Sequence, residues 1–464
     1  MTSQAKSLSL YIVAIALVSG SNFLIVPVLL SAIGPQQFAV WALLEPVLLL
    51  LVPLSGFGIQ FALMQRLALK EDAKSLVSAL FAPYVLLAAL SGTAAFTLVA
   101  LMHHRIEIAV FLGATVFLEG TIVFFIFYWR AQDRALHFLM IEGGRAFVVL
   151  IFMALLYWLG HSLLRDLGGY LLIRMTMAAV ALAAAVLLVR PGFLIDPATF
   201  RRSVRFGLPV VVAGALVTSL LNFDRFVVLW ATGETQVAYY VAHTKVVQIL
   251  AASLAPFFIW YAPKAIAGLN RAGAEHGFLV RNFFGFVTVN VGLSVGLWLI
   301  LPSAWPLVFP GVALNLPLMA WLIFGMAVFS CGNPLSVGTL TDGKSHQALL
   351  VTLAALCLGV ALIFPLAAAY GQIGVAIGKC AAMMVYTGLF AVSAISATKA
   401  DYRWLRIGGI ILFGLLVSTI LPYFIDLSAI STGVPVAFTA ALSVLLCGFA
   451  LRPAPVDFER AVCP

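Results

Sequence analysis

Gly34-Pro35-Gln36-Gln37-Phe38-Ala39-Val40-Trp41-Ala42 returns, 199 positions later, as Gly233-Glu234-Thr235-Gln236-Val237-Ala238-Tyr239-Tyr240-Val241. The shared pattern is Gly-x-x-Gln-apolar-Ala-x-aromatic, and each copy follows a long apolar run. A repeat of this kind predicts a chain built twice from the same unit. If six membrane helices separate the copies, the two halves point the same way and are related by an axis along the membrane normal.

The sequence around the repeat has the composition of a membrane protein. Hydrophobic residues make up 63% of the chain and charged residues 9%, with a mean hydropathy of +1.12. A helix needs roughly 20 apolar residues to cross a bilayer. Fourteen such runs are expected, at residues 8–33, 38–61, 75–101, 106–129, 138–159, 167–189, 207–231, 237–262, 278–301, 316–339, 347–369, 373–395, 405–425 and 430–451. The expected fold is an all-α polytopic membrane protein, with two six-helix pseudo-symmetric lobes plus two C-terminal helices. Residues 1–190 form the first lobe, 191–206 a basic cytoplasmic linker, 207–398 the second lobe, and 399–464 two additional helices and a cytoplasmic tail. The first run lacks a cleavable signal pattern and reads as a retained helix.

Basic residues orient the chain. With the N-terminus in the cytoplasm, five of the 26 Lys and Arg lie at membrane depth. Arg105 and Arg165 fall in outer loops, and the remaining nineteen lie on the inner side. Topology thus accounts for the net charge of +9, and no nucleic-acid partner is implied. Cys331, Cys357, Cys380, Cys447 and Cys463 form no CxxC and read as small packing residues, with neither disulfide nor metal expected.

A charge near the centre of a membrane helix costs about 2.5–3.5 kcal/mol, so it should face protein or water. At that depth stand Glu45, Glu119, Glu142, Arg145, Arg174, Asp224, Arg225, His243, Lys245 and Lys379. Counting at about 1.5 Å per residue puts Arg174, Arg225, Lys245 and Lys379, with Asp224 and Glu45, in the outer half of the membrane, and Arg145 nearer the inside. One reading is a cationic cavity for an anionic group such as a phosphate, with Arg225, Lys245, Arg174, Lys379 and Arg145 as substrate contacts, since Arg matches phosphate oxygens with a planar fork and Lys offers a mobile point charge. The other reading is internal pairing, most directly between Glu142 and Arg145, three residues apart on one helix face. Asp224, Glu45 and Glu119 are candidate ion-coupling sites, and His243 reads as a packed histidine. Prolines 27, 46, 53, 83, 209, 256, 334 and 365 fall within the apolar runs and should kink or interrupt them.

Residues 338–345 match the phosphate-loop pattern GxxxxGK[ST]. That pattern binds nucleotide between a strand and a helix, whereas here it lies at the inner end of a membrane helix, so no nucleotide and no cofactor are expected.

The chain resembles the polysaccharide transport (Wzx-type) flippases of the multidrug/oligosaccharidyl-lipid/polysaccharide (MOP) superfamily, across roughly residues 5–400. The resemblance is carried by residues 34–41, by Gly56-Phe57-Gly58 with Arg66-Leu67-Ala68, by Arg205-Phe206-Gly207-Leu208-Pro209, by Asn222-Phe223-Asp224-Arg225-Phe226 and by residues 238–245. Gly56 departs from it, standing where such proteins often have Asp. The resemblance implies a central cavity, alternating access and transfer of undecaprenyl-diphosphate-linked oligosaccharide across the bacterial inner membrane for O-antigen, capsule or exopolysaccharide assembly. Both termini would be cytoplasmic, and a polysaccharide polymerase is the partner implied. Alternatives are a multidrug antiporter of the same superfamily, which would favour acidic groups, a lipid II flippase relative, and a membrane enzyme of polysaccharide assembly. The enzyme should carry acids or histidines on a large outer loop, yet residues 302–315 hold no ionisable group.

Overall fold

A computed structural model of the chain describes residues 3–68, 71–102, 105–269, 276–337 and 345–398. All regular structure among them is helical. The helices are α1 (Ser3–Leu54), α2 (Ile59–Ala68), α3 (Ala73–Met102), α4 (Ile106–Ala131), α5 (Ala135–Trp158), α6 (Leu167–Val189), α7 (Pro197–Asn222), α8 (Asp224–Thr232), α9 (Glu234–Leu269), α10 (His276–Val308), α11 (Leu316–Ser336) and α12 (Ser345–Thr398). The described residues divide into two compact units, one within 3–256 with 345–382 and the other within 257–337 with 383–398.

Ten spans are long and apolar enough to cross a membrane, two of them 46 and 49 residues long, Ser9–Leu54 and Gln347–Ile395. At about 1.5 Å per residue each of these two is more than twice a hydrocarbon core of about 30 Å, and each folds back on itself. In α1 the backbone leaves the helical region at Gly34 (φ 76°, ψ 168°), and Val18 then lines the same cavity as Val52, and Asn22 the same cavity as Leu48. In α12 the break is at Gly371 (φ 58°, ψ −134°). Beyond it, a Cβ on Gly374 would meet the Leu366 carbonyl and one on Gly378 would meet Ile363, so two limbs run back to back from the turn. The first twelve expected runs therefore have counterparts. The thirteenth and fourteenth, at 405–425 and 430–451, lie outside the described residues, as does the phosphate-loop-like stretch except Ser345.

Both copies of the repeat use their glycine alike. Gly233 (φ 85°, ψ 173°) closes α8 with dihedrals close to those of Gly34, a region open to glycine and costly for side chains. The glutamine three residues on also does the same work twice. Gln37 Oε1 accepts from the Leu167 N–H at the start of α6, and Gln236 accepts from Gln372 Nε2 just past the Gly371 break. Each ties the repeat to the start of the sixth helix in its half.

The helices add detail that the apolar runs do not carry. The run 38–61 is interrupted: residues 55–58 leave the helix, with Phe57 (φ 47°) and Gly58 (φ 86°) left-handed, and α2 resumes at Ile59. Gln60 Nε2 bridges the gap by donating to the Pro53 carbonyl at 2.9 Å. The expected linker 191–206 is helical from Pro197, where the Asp196 side chain caps α7 by accepting from Ala198 N–H. α7 and α8 then make one span, Pro197–Thr232, in which Phe223 keeps helical dihedrals. α5 carries a π-helical turn, Leu139–Gly144, that includes Glu142.

The interruption at 55–58 is fixed by close packing. A Cβ on Gly56 would lie 2.1 Å from the Tyr84 ring, so no side chain fits there without displacing that ring. The Tyr84 hydroxyl donates to the Gly120 carbonyl at 3.0 Å. Gly58 and Gly207 meet backbone to backbone, an approach that only small residues permit. Outside the spans, Arg105 holds Asp166 with two guanidinium bonds of 2.7 Å. That bonding keeps the Asp166 carboxyl below its usual range.

In the other unit, α10 and α11 join through Asn290, whose Nδ2 donates to the Ala327 carbonyl at 2.7 Å. Thr387 Oγ1 donates to the Val328 carbonyl, and the Tyr386 ring packs on Phe329 with centroids 4.9 Å apart.

Gly207→Ala should abolish folded protein, since its Cβ would sit 1.9 Å from the Gly58 carbonyl oxygen. Gly214→Ala, seven residues on with nothing within 4 Å, should leave folding intact. Monodispersity and thermal unfolding in detergent check the pair.

Candidate functional site

The charged residues at membrane depth assemble into three clusters in one unit, each joining two or more helices. In the first, Glu45 of α1 holds two bases: Lys245 Nζ of α9 donates to Oε1 at 2.6 Å and Arg225 NH1 of α8 to Oε2 at 2.8 Å. Arg225 NH1 also donates to the Ala42 carbonyl and NH2 to Asn222 Oδ1. Two bases share one acid, which leaves one surplus positive charge.

The second cluster centres on Glu119 of α4. Arg174 of α6 clasps it bidentately, Nε to Oε1 at 2.8 Å and NH2 to Oε2 at 2.9 Å. Arg145 NH1 of α5 reaches the same Oε1 at 2.7 Å, and its NH2 lies 3.3 Å from Glu142 Oε2, the local pair that spacing predicted. The Arg174 guanidinium also lies over the Trp41 ring, 5.6 Å from its centroid. In the third cluster, Lys379 of α12 donates to Asp224 Oδ2 at 2.6 Å and to the Leu221 carbonyl, while the Tyr240 hydroxyl donates to the same Asp224 oxygen.

The five bases thus do not form an open cationic wall: each has a carboxylate partner. They also divide by access. Arg225 and Lys379 line neither of the two cavities beside these clusters, although Lys379, 6% exposed, is no more buried than Lys245 at 7%. Arg145, Arg174 and Lys245 border space. One cavity of about 210 Å³ is lined by Glu119, Glu142, Arg145, Tyr170 and Arg174 with apolar residues of α1. A neighbouring one of about 260 Å³ is lined by Glu45, Lys245, Gln248, Arg174 and Ser19. Asn22, Leu48, Leu49 and Arg174 belong to both, so Arg174 stands on the shared wall. Of the ion-coupling candidates, Glu45 and Glu119 border the cavities, while Asp224 is 1% exposed. His243 is buried, its Nδ1 2.7 Å from the Tyr239 carbonyl. Among the described residues no group of three His, Cys, Asp or Glu could hold a metal.

Charge counting missed the neutral polar lining: Ser19, Asn22, Tyr170 and Gln248. The available signal was an amide or hydroxyl inside an otherwise apolar helix.

Comparison with known proteins agrees with this architecture. A family model described as "Polysaccharide biosynthesis protein" matches residues 5–261. An inward-facing multidrug resistance MATE family transporter of the MOP superfamily superimposes with a TM-score of 0.59 at 16% identity, over 87% of this chain and 95% of that one. Its outward-facing conformation gives 0.58 at 16%, over 88% and 95%. A MOP superfamily transporter from Pyrococcus furiosus, described as having a binding pocket of reverse polarity that suggests a different function, gives 0.54 at 15%, over 88% and 95%. At these identities the likeness is one of fold. No curated protein matches the chain.

Removing one partner of a buried ion pair typically costs about 3–5 kcal/mol. Glu119→Gln, which leaves Arg145 and Arg174 facing each other, should therefore lower the yield of folded protein several-fold. Adding Arg174→Gln should restore much of it, because Arg145 keeps Glu142. Fluorescence-detected size exclusion and melting temperature read both.

Proposed function

The chain belongs to the family of polysaccharide biosynthesis proteins, and from that premise we propose that it carries undecaprenyl-diphosphate-linked oligosaccharide across the bacterial inner membrane. At the coarser level it is a multi-pass transporter of the MOP superfamily. The observation that supports the finer reading is the pairing around the two cavities. Lys245 and Arg174 border one space, Arg174 and Arg145 the other, and the cluster at Glu45 carries surplus positive charge.

A diphosphate entering that space meets bases held in place by carboxylates. Arg offers it a fork, and Lys245 a point charge on a flexible stem. Binding is then an exchange of anionic partners, with the diphosphate taking over donors from Glu45 and Glu119. When the product leaves, the carboxylates resume their places, so no unpaired base is left at membrane depth on the return. Arg225 and Lys379 serve as the frame, each spending its donors on a carboxylate and at least one backbone carbonyl. Glu45 and Glu119, which lose their partners on loading, are the groups on which a coupling proton or cation would act. Both termini lie in the cytoplasm on this reading, and the polysaccharide polymerase stands downstream of the released glycan.

Lys245→Met should reduce glycan export more than tenfold at near-normal abundance, because Glu45 keeps Arg225. Arg225→Met should instead lower abundance, since it strips Asn222 and the Ala42 carbonyl of their donor. In a strain lacking the protein, completed lipid-linked units should accumulate on the cytoplasmic side and surface polymer should be lost. Normal surface polymer with new sensitivity to cationic drugs would replace this reading with a multidrug antiporter.

A further inference from the structure

Three neutral polar side chains line the space beside Arg174 and Lys245 and, among the described residues, spend their hydrogen-bonding capacity on no protein group. Ser19 and Asn22 lie three residues apart on α1, and Gln248 lies three beyond Lys245 on α9, so each pair occupies one helix face. All three border the cavity of about 260 Å³, and Asn22 borders its neighbour as well. Among the described residues none of the three has a side-chain hydrogen-bond partner, whereas the amides of Asn222 and Asn290 both donate to helix carbonyls. Several serines and threonines at this depth donate to the carbonyl four residues earlier. Ser19 does not.

An amide facing lipid without partners would cost several kcal/mol. Such groups persist at membrane depth where they face a polar space. Asn22 is exposed in this sense: its amide, with two donors and an acceptor, stands on the wall between the cavities, beside Arg174 and within the set that includes Glu45.

From this juxtaposition of an unspent neutral wall with a basic one we infer that Ser19, Asn22 and Gln248 form a sugar subsite. It receives the hydroxyl and acetamido groups of the residue attached to the diphosphate, while Arg174 and Lys245 hold the diphosphate itself. The inference rests on the lipid-linked glycan reading above and deepens it. The chemistry divides cleanly. Phosphate oxygens are acceptors that call for cationic donors, whereas sugar hydroxyls and an acetamide both donate and accept and so match amides. Selection for a glycosylated over a bare lipid then resides in groups that contribute nothing to anion binding. A site built to hydrogen-bond a ligand also discriminates well against one lacking the group, because its own polar atoms are then left unpaired.

The test measures binding of two lipids to the full-length protein in nanodiscs: undecaprenyl diphosphate carrying one N-acetylated hexose, and undecaprenyl diphosphate alone. Wild type should prefer the glycosylated lipid by about tenfold, the worth of one or two neutral hydrogen bonds. Asn22→Leu combined with Gln248→Leu should erase that preference while leaving affinity for the bare lipid unchanged, and Ser19→Ala should reduce the preference in part. A preference that survives in the double variant, or an equal loss for both lipids, overturns the subsite. Wild type and Arg174→Gln binding both lipids equally weakly would overturn the lipid-diphosphate reading as well, and so separates the two failures.

Discussion

No base at membrane depth can stand without a counter-charge. A lone charge there is expensive, and a carboxylate beside it both repays part of the desolvation and fixes the donor's direction. This constraint explains why Glu45 and Glu119 each serve two bases, and why those bases come from different helices. Glu45 joins α1 to α8 and α9, and Glu119 joins α4 to α5 and α6. With lipid outside, apolar surface gives the helices little reason to prefer one another, so ion clusters and close glycine contacts are what specify their arrangement.

The glycine contacts supply the second half of that specification. Gly56 makes room for Tyr84, and Gly58 lies directly on Gly207. The non-helical stretch at 55–58 is stabilised by what surrounds it, the Gln60 amide on the Pro53 carbonyl among others. Irregular backbone at membrane depth is tolerated when protein satisfies its polar groups.

How legible this was in the sequence depended on the range of the interaction. Helix positions follow from apolar runs, a local property; the run expected at 167–189 coincides with α6. The repeat was legible because Gly34 and Gly233 need a backbone that only glycine adopts cheaply, and because Gln37 and Gln236 do equivalent work. The Glu142–Arg145 pair was legible because three residues separate the partners. The partners of Glu45 lie 180 and 200 residues away, and no spacing rule reaches so far. The interruption at 55–58 escaped because hydropathy registers side chains, whereas the break belongs to the backbone. Asn22 and Gln248 escaped because a search for charge passes over neutral amides.

The same pairing that builds the fold bears on how a carrier of anions would work. A cavity lined by unpaired bases would bind a diphosphate tightly but would be costly to return empty. A cavity of purely neutral groups would return easily and bind poorly. On the proposed reading, carboxylates that trade places with the substrate meet both demands, since the bases have an anionic partner loaded or empty. The surplus charge at the Glu45 cluster then biases the exchange toward the substrate. Arg225 and Lys379, which line neither cavity, stay with their carboxylates on that reading. On that reading they keep α8 fixed to α1 and α12 while Lys245 and Arg174 change partners, so that bordering a cavity, rather than charge or burial alone, separates binding group from frame.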